Sequence, residues 1–243
     1  MITLPGSFSV RLLGVSALCL SLLTACPRPG PTPPPYLPPS QLSFTFPTVQ
    51  DTTDVKLAAV AFVNDEKTGG YQSKVVNFTP LSGPAVASAN LLLDGYRLDM
   101  WAKNAACTTS FLGGETAGMR EVTVTPNTVR TCNLYFMLFR DTNRNGAPES
   151  GEVLYETHDL YSYATEAFTY RFVSPDGRST ETGSRNGGWS LVRHQVLHPT
   201  ATPDRYLVSM NSLPPADERL NIRLHERTDY FTSQGLPLGG GQK

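Results

Sequence analysis

Apolar and polar positions along this chain recur with a period of two rather than 3.6 from about residue 41 onward. Tyr96, Leu98 and Met100 alternate with Arg97 and Asp99, and Val122 and Val124 with Glu121, Thr123 and Thr125. Phe168, Tyr170 and Phe172 alternate with Thr169 and Arg171, and Ile222 and Leu224 with Asn221, Arg223 and His225. Such alternation predicts strands with one face on a core and the other in water. Val55 to Val63 and Leu134 to Phe139 are nearly continuous apolar runs, which predict central strands covered on both faces. Further strands are predicted at 42–46, 75–78, 89–93, 153–160, 189–197 and 206–210. Turn formers separate them: Thr68-Gly69-Gly70, Asp94-Gly95, Pro126-Asn127, Pro175-Asp176-Gly177, Asn186-Gly187-Gly188 and Pro203-Asp204. No three-turn amphipathic helix is predicted, and Pro215 to Arg219 could form a single helical turn. The expectation is an all-β chain built from one or two β-sandwich modules.

The first forty residues break this pattern. Arg11 precedes an apolar run from Leu12 to Leu23, too short to span a bilayer as a helix and of the length expected of a secretory signal. It ends in Leu23-Thr24-Ala25-Cys26, which resembles the lipobox of bacterial lipoproteins. That resemblance implies cleavage before Cys26 and lipidation of its thiol. Residues 1–25 are then a signal peptide, and the mature chain hangs from a bacterial membrane on acyl chains, facing the periplasm or the cell surface. Each buried CH₂ of such a chain contributes about 0.8 kcal/mol to anchoring. Residues 26–40 carry eight prolines in Pro27-Arg-Pro-Gly-Pro-Thr-Pro-Pro-Pro-Tyr-Leu-Pro-Pro-Ser40. Proline at this density favours a stiff polyproline II spacer over helix or sheet.

Leu93-Asp94-Gly95-Tyr96-Arg97-Leu98 is similar to the strand entry of prealbumin-like and fibronectin-like sandwich domains. Val122-Thr123-Val124-Thr125-Pro126-Asn127 is similar to their penultimate strand and turn. This implies a first immunoglobulin-like or prealbumin-like module over 41–132 and a second β module over 133–232. A single sandwich over 41–232 is the alternative. Residues 233–243, with Gly239-Gly240-Gly241, are expected to form a flexible tail.

Charge narrows the function. The chain has 20 Lys+Arg against 21 Asp+Glu, and removal of 1–25 removes Arg11 and no acid, leaving 19 − 21 = −2. No basic excess points to nucleic acid. Of the four cysteines, Cys19 leaves with the signal and Cys26 takes lipid. Cys107 and Cys132 remain, an even pair in an oxidising compartment. That favours a disulfide over two free thiols.

One segment carries metal chemistry. Asp141-Thr-Asn-Arg-Asn-Gly-Ala-Pro-Glu-Ser-Gly-Glu152 resembles an EF-hand calcium loop. Its oxygen donors fall at loop positions 1, 3, 5, 9 and 12 as Asp141, Asn143, Asn145, Glu149 and Glu152. The carbonyl of Ala147 falls at 7 and Gly146 at 6. Calcium takes 6–8 oxygens, so closely spaced carboxylates and amides must converge, and Gly146 permits the reversal that this needs. Pro148 replaces the usual aliphatic residue, and strands rather than helices flank the segment. It is thus similar to helix-free calcium loops in bacterial surface β-sandwiches, which implies a structural calcium of modest affinity. A metal-free Asx-rich hairpin is the competing reading.

No nucleophile elbow, P-loop, His-Glu-x-x-His or dinucleotide fingerprint is present. His194 and His198, four apart, would share one face of a strand, but ordinary strand histidines fit them as well as a zinc pair does. Tyr155, Tyr161, Tyr163, Phe168, Tyr170 and Phe172, with Trp101 and Trp189, are expected to pack cores. The expected function is therefore a non-enzymatic, lipid-anchored envelope protein, calcium-stabilised and structural, adhesive or ligand-binding. Its expected partners are the membrane through Cys26, and envelope proteins or glycans. The alternative is an envelope hydrolase assembled from distant residues such as Asp159, Glu166, His194 and Glu226.

Overall fold

The computed structural model describes residues 40–65, 69–113, 116, 118–149, 151–197, 204–215, 217 and 221–226. They all belong to one compact unit, Leu37–Lys243. The predicted signal peptide, the predicted lipidation site Cys26, the tether up to residue 39, the tail and His198 lie outside the described residues. No helix among the described residues is long and apolar enough to cross a membrane.

Among the described residues the chain is nearly all β, with one short helix, α1 (Gly95–Ala102). Its strands are β1 (Ser40–Val49), β2 (Val55–Asp65), β3 (Gly70–Pro80), β4 (Val86–Leu93), β5 (Thr109–Ser110), β6 (Glu121–Thr125) and β7 (Arg130–Arg140). They continue with β8 (Val153–Ala164), β9 (Phe168–Val173), β10 (Ser179–Arg185), β11 (Gly188–Leu197), β12 (Tyr206–Ser212) and β13 (Ile222–Arg223). A small sheet has the order β13-β1-β4, and a large one runs β3-β2-β7-β8-β11-β12-β10-β9-β6, with β5 beside β7. Most neighbours are antiparallel, but β13 on β1 and β10 on β12 are parallel. The position 132/133 falls inside β7, which pairs with β2 on one side and β8 on the other.

The small sheet covers one face of the large one, giving a sandwich-like arrangement. Leu42, Phe44 and Phe46 of β1 and Leu91 and Leu93 of β4 pack on Leu57, Ala59 and Ala61 of β2 and Leu134, Phe136 and Leu138 of β7. Phe44 and Phe136 meet edge to face at 5.0 Å. The other face of β2 and β7, with Ala58, Val60, Met137 and Phe139, is buried too. These two continuous apolar runs are therefore covered on both sides, as their sequence predicts.

Further along this face of β7 and β8 the large sheet curls over itself. In sheet order β10 lies four strands from β7, about 19 Å away if the sheet were flat. Yet Arg185 of β10 donates from Nη1 to Asn133 Oδ1 of β7 at 3.3 Å and to Ser162 Oγ of β8 at 3.1 Å. Phe111, beyond β5, packs on Phe168, Tyr170 and Phe172 of β9 at ring distances of 4.8, 4.8 and 5.6 Å. The curl encloses a second core with Leu160, Val192, Val208 and Met210. A disulfide joins Cys107 to Cys132, 25 positions apart in sequence, with Cα atoms 5.0 Å apart. It ties the turn before β5 to the start of β7.

Two sequence expectations are corrected. Tyr96, Leu98 and Met100 lie in α1 rather than in a strand, and with them goes the proposed strand entry. Asp94 sits at the N-cap with extended backbone, and its Oδ1 accepts the Arg97 N–H at 2.9 Å. Of these three only Leu98 is buried, whereas Tyr96 and Met100 are 65% and 51% exposed. Trp101, one helical turn further, packs beside Leu98 on the core. The inward spacing is thus three, and the apparent alternation has no structural meaning. The second correction is β10, which polar Ser-Thr-Glu-Thr-Gly-Ser-Arg does not signal. Its inward positions Ser179, Glu181, Gly183 and Arg185 are all buried, although three of them are polar.

Candidate functional site

The twelve residues 141–152 form the hairpin loop between β7 and β8, closed at its neck by the Arg140 N–H donating to Glu152 O at 2.9 Å. Local geometry follows from the side chains. Asn143 Oδ1 accepts the Asn145 N–H at 2.9 Å, and Asn145 Oδ1 accepts the Ala147 N–H at 2.8 Å, two successive Asx turns. Arg144 and Gly146 have φ of 57° and 78°, so the chain reverses there through left-handed backbone.

Five of the predicted ligands are drawn together, and each already has partners. Asp141 is 1% exposed, and its carboxylate accepts the Gly146 N–H at 3.1 Å. Lys56 of β2 places Nζ 2.5 Å from Asp141 Oδ2. Glu152, also buried, accepts on Oε1 from Thr142 Oγ1 at 2.6 Å and the Thr142 N–H at 2.9 Å. Exposed Glu149 accepts on Oε1 from Asn143 Nδ2 at 3.0 Å and Asn145 Nδ2 at 2.8 Å. The Lys56 ammonium, outweighing the burial that opposes it, holds the Asp141 carboxyl below its usual range. The Thr142 hydroxyl does the same for Glu152. Both are therefore ionised at neutral pH.

The donor types and their order suit calcium. Their present partners do not: the cation on Asp141 is an ammonium, and Glu149 is turned onto amide N–H groups. Among the described residues no three His, Cys, Asp or Glu side chains stand together as a ready metal group. The loop as seen is closed by its own donors and by Lys56.

The histidines assemble elsewhere. His158 of β8 has its ring 5.1 Å from that of His194 on β11 and 6.1 Å from that of His225, which follows β13. The His194 ring is tilted at 35° to that of His158, and the His225 ring is stacked on it at 13°. Burial, helped by the neighbouring His225, pushes His158 down to about 4. Of the residues weighed for hydrolysis, Asp159 accepts the His194 backbone N–H at 2.8 Å and lies 3.1 Å from Arg193 Nε. Its carboxylate is thus spent on backbone and guanidinium. Burial raises its affinity for a proton. Glu166 binds the Thr128 hydroxyl at the far end of β8, and Glu226 meets the cluster through its backbone oxygen on His225 Nδ1. The clustering of His158, His194 and His225 has no trace in local spacing, because distant segments must pair before the rings meet.

A third polar group is built by the curl. Tyr170 donates its hydroxyl to Glu181 Oε1 at 2.6 Å, while the Arg185 guanidinium lies over the rings of Phe111, Phe168 and Tyr170 at 5.5, 5.9 and 5.6 Å. Glu181 and Arg185 are each 4% exposed. Burial, with the Glu181 carboxylate, raises the Tyr170 hydroxyl far above its ordinary range, so it serves as a donor. No family model matches the chain, and no curated protein and no solved structure matches it.

Proposed function

We propose that this is a lipid-anchored envelope protein whose β-sandwich is stiffened by calcium at the 141–152 loop and serves a structural, adhesive or ligand-binding role. The loop carries the reading. Its three carboxylates follow one another on a single hairpin, two of them, Asp141 and Glu152, buried and ionised, and its reversals at Arg144 and Gly146 are already formed. Ionised Asp141 must have a cation beside it. Lys56 fills that need when calcium is scarce, and calcium displaces it when abundant. Asp141, Asn143, Asn145, Glu149, Glu152 and the Ala147 carbonyl would hold the ion. Calcium supplies no reaction step here; it cross-links β7, β8 and the loop between them. The lipobox-like segment and proline-rich stretch support a location outside the cytoplasm, where calcium is plentiful.

Competition with Lys56 implies modest affinity, in the extracellular range of about 10⁻⁴–10⁻³ M. At about 10 mM calcium the folded state gains roughly 1.4–2.7 kcal/mol. For a domain of this size that raises Tm by about 3–10 °C. The mature protein melted with and without calcium should show this rise, and Asp141→Ala with Glu152→Ala should lose it. Lys56→Met should melt lower without calcium, because Asp141 is left buried and unpaired. It should then gain more from calcium than the wild type does. Equal Tm with and without calcium in both wild type and Lys56→Met would refute the calcium role.

A further inference from the structure

A cavity of about 200 Å³ opens between β2, β3, β5 and β7, on the curled sheet's inner side and beside the disulfide. Phe62, Tyr71, Phe111 and Tyr135 supply rings, and Asn64 and Asn133 supply amides. The remaining described lining is hydroxyls and small residues, without a charged side chain. Tyr71 and Phe62 are 72% and 42% exposed, which leaves large apolar rings facing water at the mouth. Phe62 stands edge to face on Tyr135 at 5.2 Å, so its ring is braced.

The floor is preorganised. Asn133 Oδ1 accepts from Ser162 Oγ at 2.7 Å and from Arg185 Nη1 at 3.3 Å. A guanidinium can only donate, so the oxygen must face it and Nδ2 is left as the amide's donor. Buried Arg185, itself fixed over three rings, thereby sets which way an amide in the cavity wall is turned.

We infer that this cavity binds one neutral sugar ring, held by Asn133 and Asn64 through its hydroxyls and by Tyr71 and Phe62 against its C–H face. The described lining has no charge to recognise an ionic ligand. Its amides and hydroxyls suit a polyhydroxylated one, and the rings suit the apolar face that such a molecule also has. The volume lies below the 300–1,000 Å³ of sites for drug-sized ligands and fits a single ring. This deepens the ligand-binding part of the proposed function and is independent of calcium and of the lipid.

Saturation-transfer NMR on the mature protein, with a panel of neutral hexoses and N-acetylhexosamines and with glucuronate as the charged control, tests it. At least one neutral sugar should take up saturation, and glucuronate should not. Tyr71→Ala and Asn64→Ala, both at exposed positions, should keep the wild-type Tm and weaken that sugar about tenfold each. No transfer to any neutral sugar, or transfer that both variants leave unchanged, overturns the inference. A calcium-dependent Tm rise in the same sample would show that the proposed function stands without it.

Discussion

Arg185→Met will cost about 3–5 kcal/mol, the range for breaking a buried charged group away from its partners. Arg185 is buried, donates to Asn133 and Ser162, and lies over three aromatic rings. Methionine fills much of the volume but supplies neither the two hydrogen bonds nor the charge. The larger part of the loss comes from what stays behind. Glu181 is equally buried and accepts from the same Tyr170 that the Arg185 guanidinium overlies, so this buried carboxylate would lose a nearby positive charge. Adding Glu181→Gln removes that charge while keeping an acceptor for the Tyr170 hydroxyl. The double variant should therefore recover more than half of the loss in urea unfolding. A double variant no more stable than Arg185→Met would show that the cost lies in packing, not charge.

Gly183→Ala should be nearly as damaging, at about 3 kcal/mol, the upper end for overpacking a well-filled site. Gly183 pairs directly with Tyr170 across β10 and β9, and the tyrosine ring lies over it. An added Cβ would stand 2.1 Å from Tyr170 Cε1 and 2.7 Å from the Met210 carbonyl oxygen. The ring cannot move without breaking its bond to Glu181, and the carbonyl belongs to the neighbouring strand β12. Ser184→Ala, one residue on and facing out, should stay within about 0.5 kcal/mol of wild type. Equal urea midpoints for Gly183→Ala and wild type would mean that Tyr170 does not occupy this position.

These two variants sit in the part of the molecule that the sequence conceals. β2 and β7 are legible because both of their faces are apolar, and no other element gives so continuous a run. β10 is not, because its inward residues are Ser179, Glu181, Gly183 and Arg185. They are tolerated only since the curl brings Asn133, Ser162 and Tyr170 to meet them, and those partners are far away along the chain. α1 is misread for a different reason. Asp94-Gly95 marks a turn as readily as a helix start, and over eight residues a chance alternation outweighs the capping signal. The 141–152 loop is legible because its donors follow one another within a single hairpin. The sequence carries no hint that Lys56, 85 residues before Asp141, already sits there. The signal of the clustered histidines is wholly tertiary.

The exchange of Lys56 for calcium on Asp141 is the centre of the account, and amide NMR observes it most directly. On titration of the mature protein with calcium to millimolar levels, the Asn143, Asn145 and Gly146 amides should shift together and saturably, with much smaller shifts in the cavity. Lys56→Met should reach saturation at lower calcium. Loop amides that stay in place throughout, or a Lys56→Met protein that needs more calcium than wild type, would contradict it.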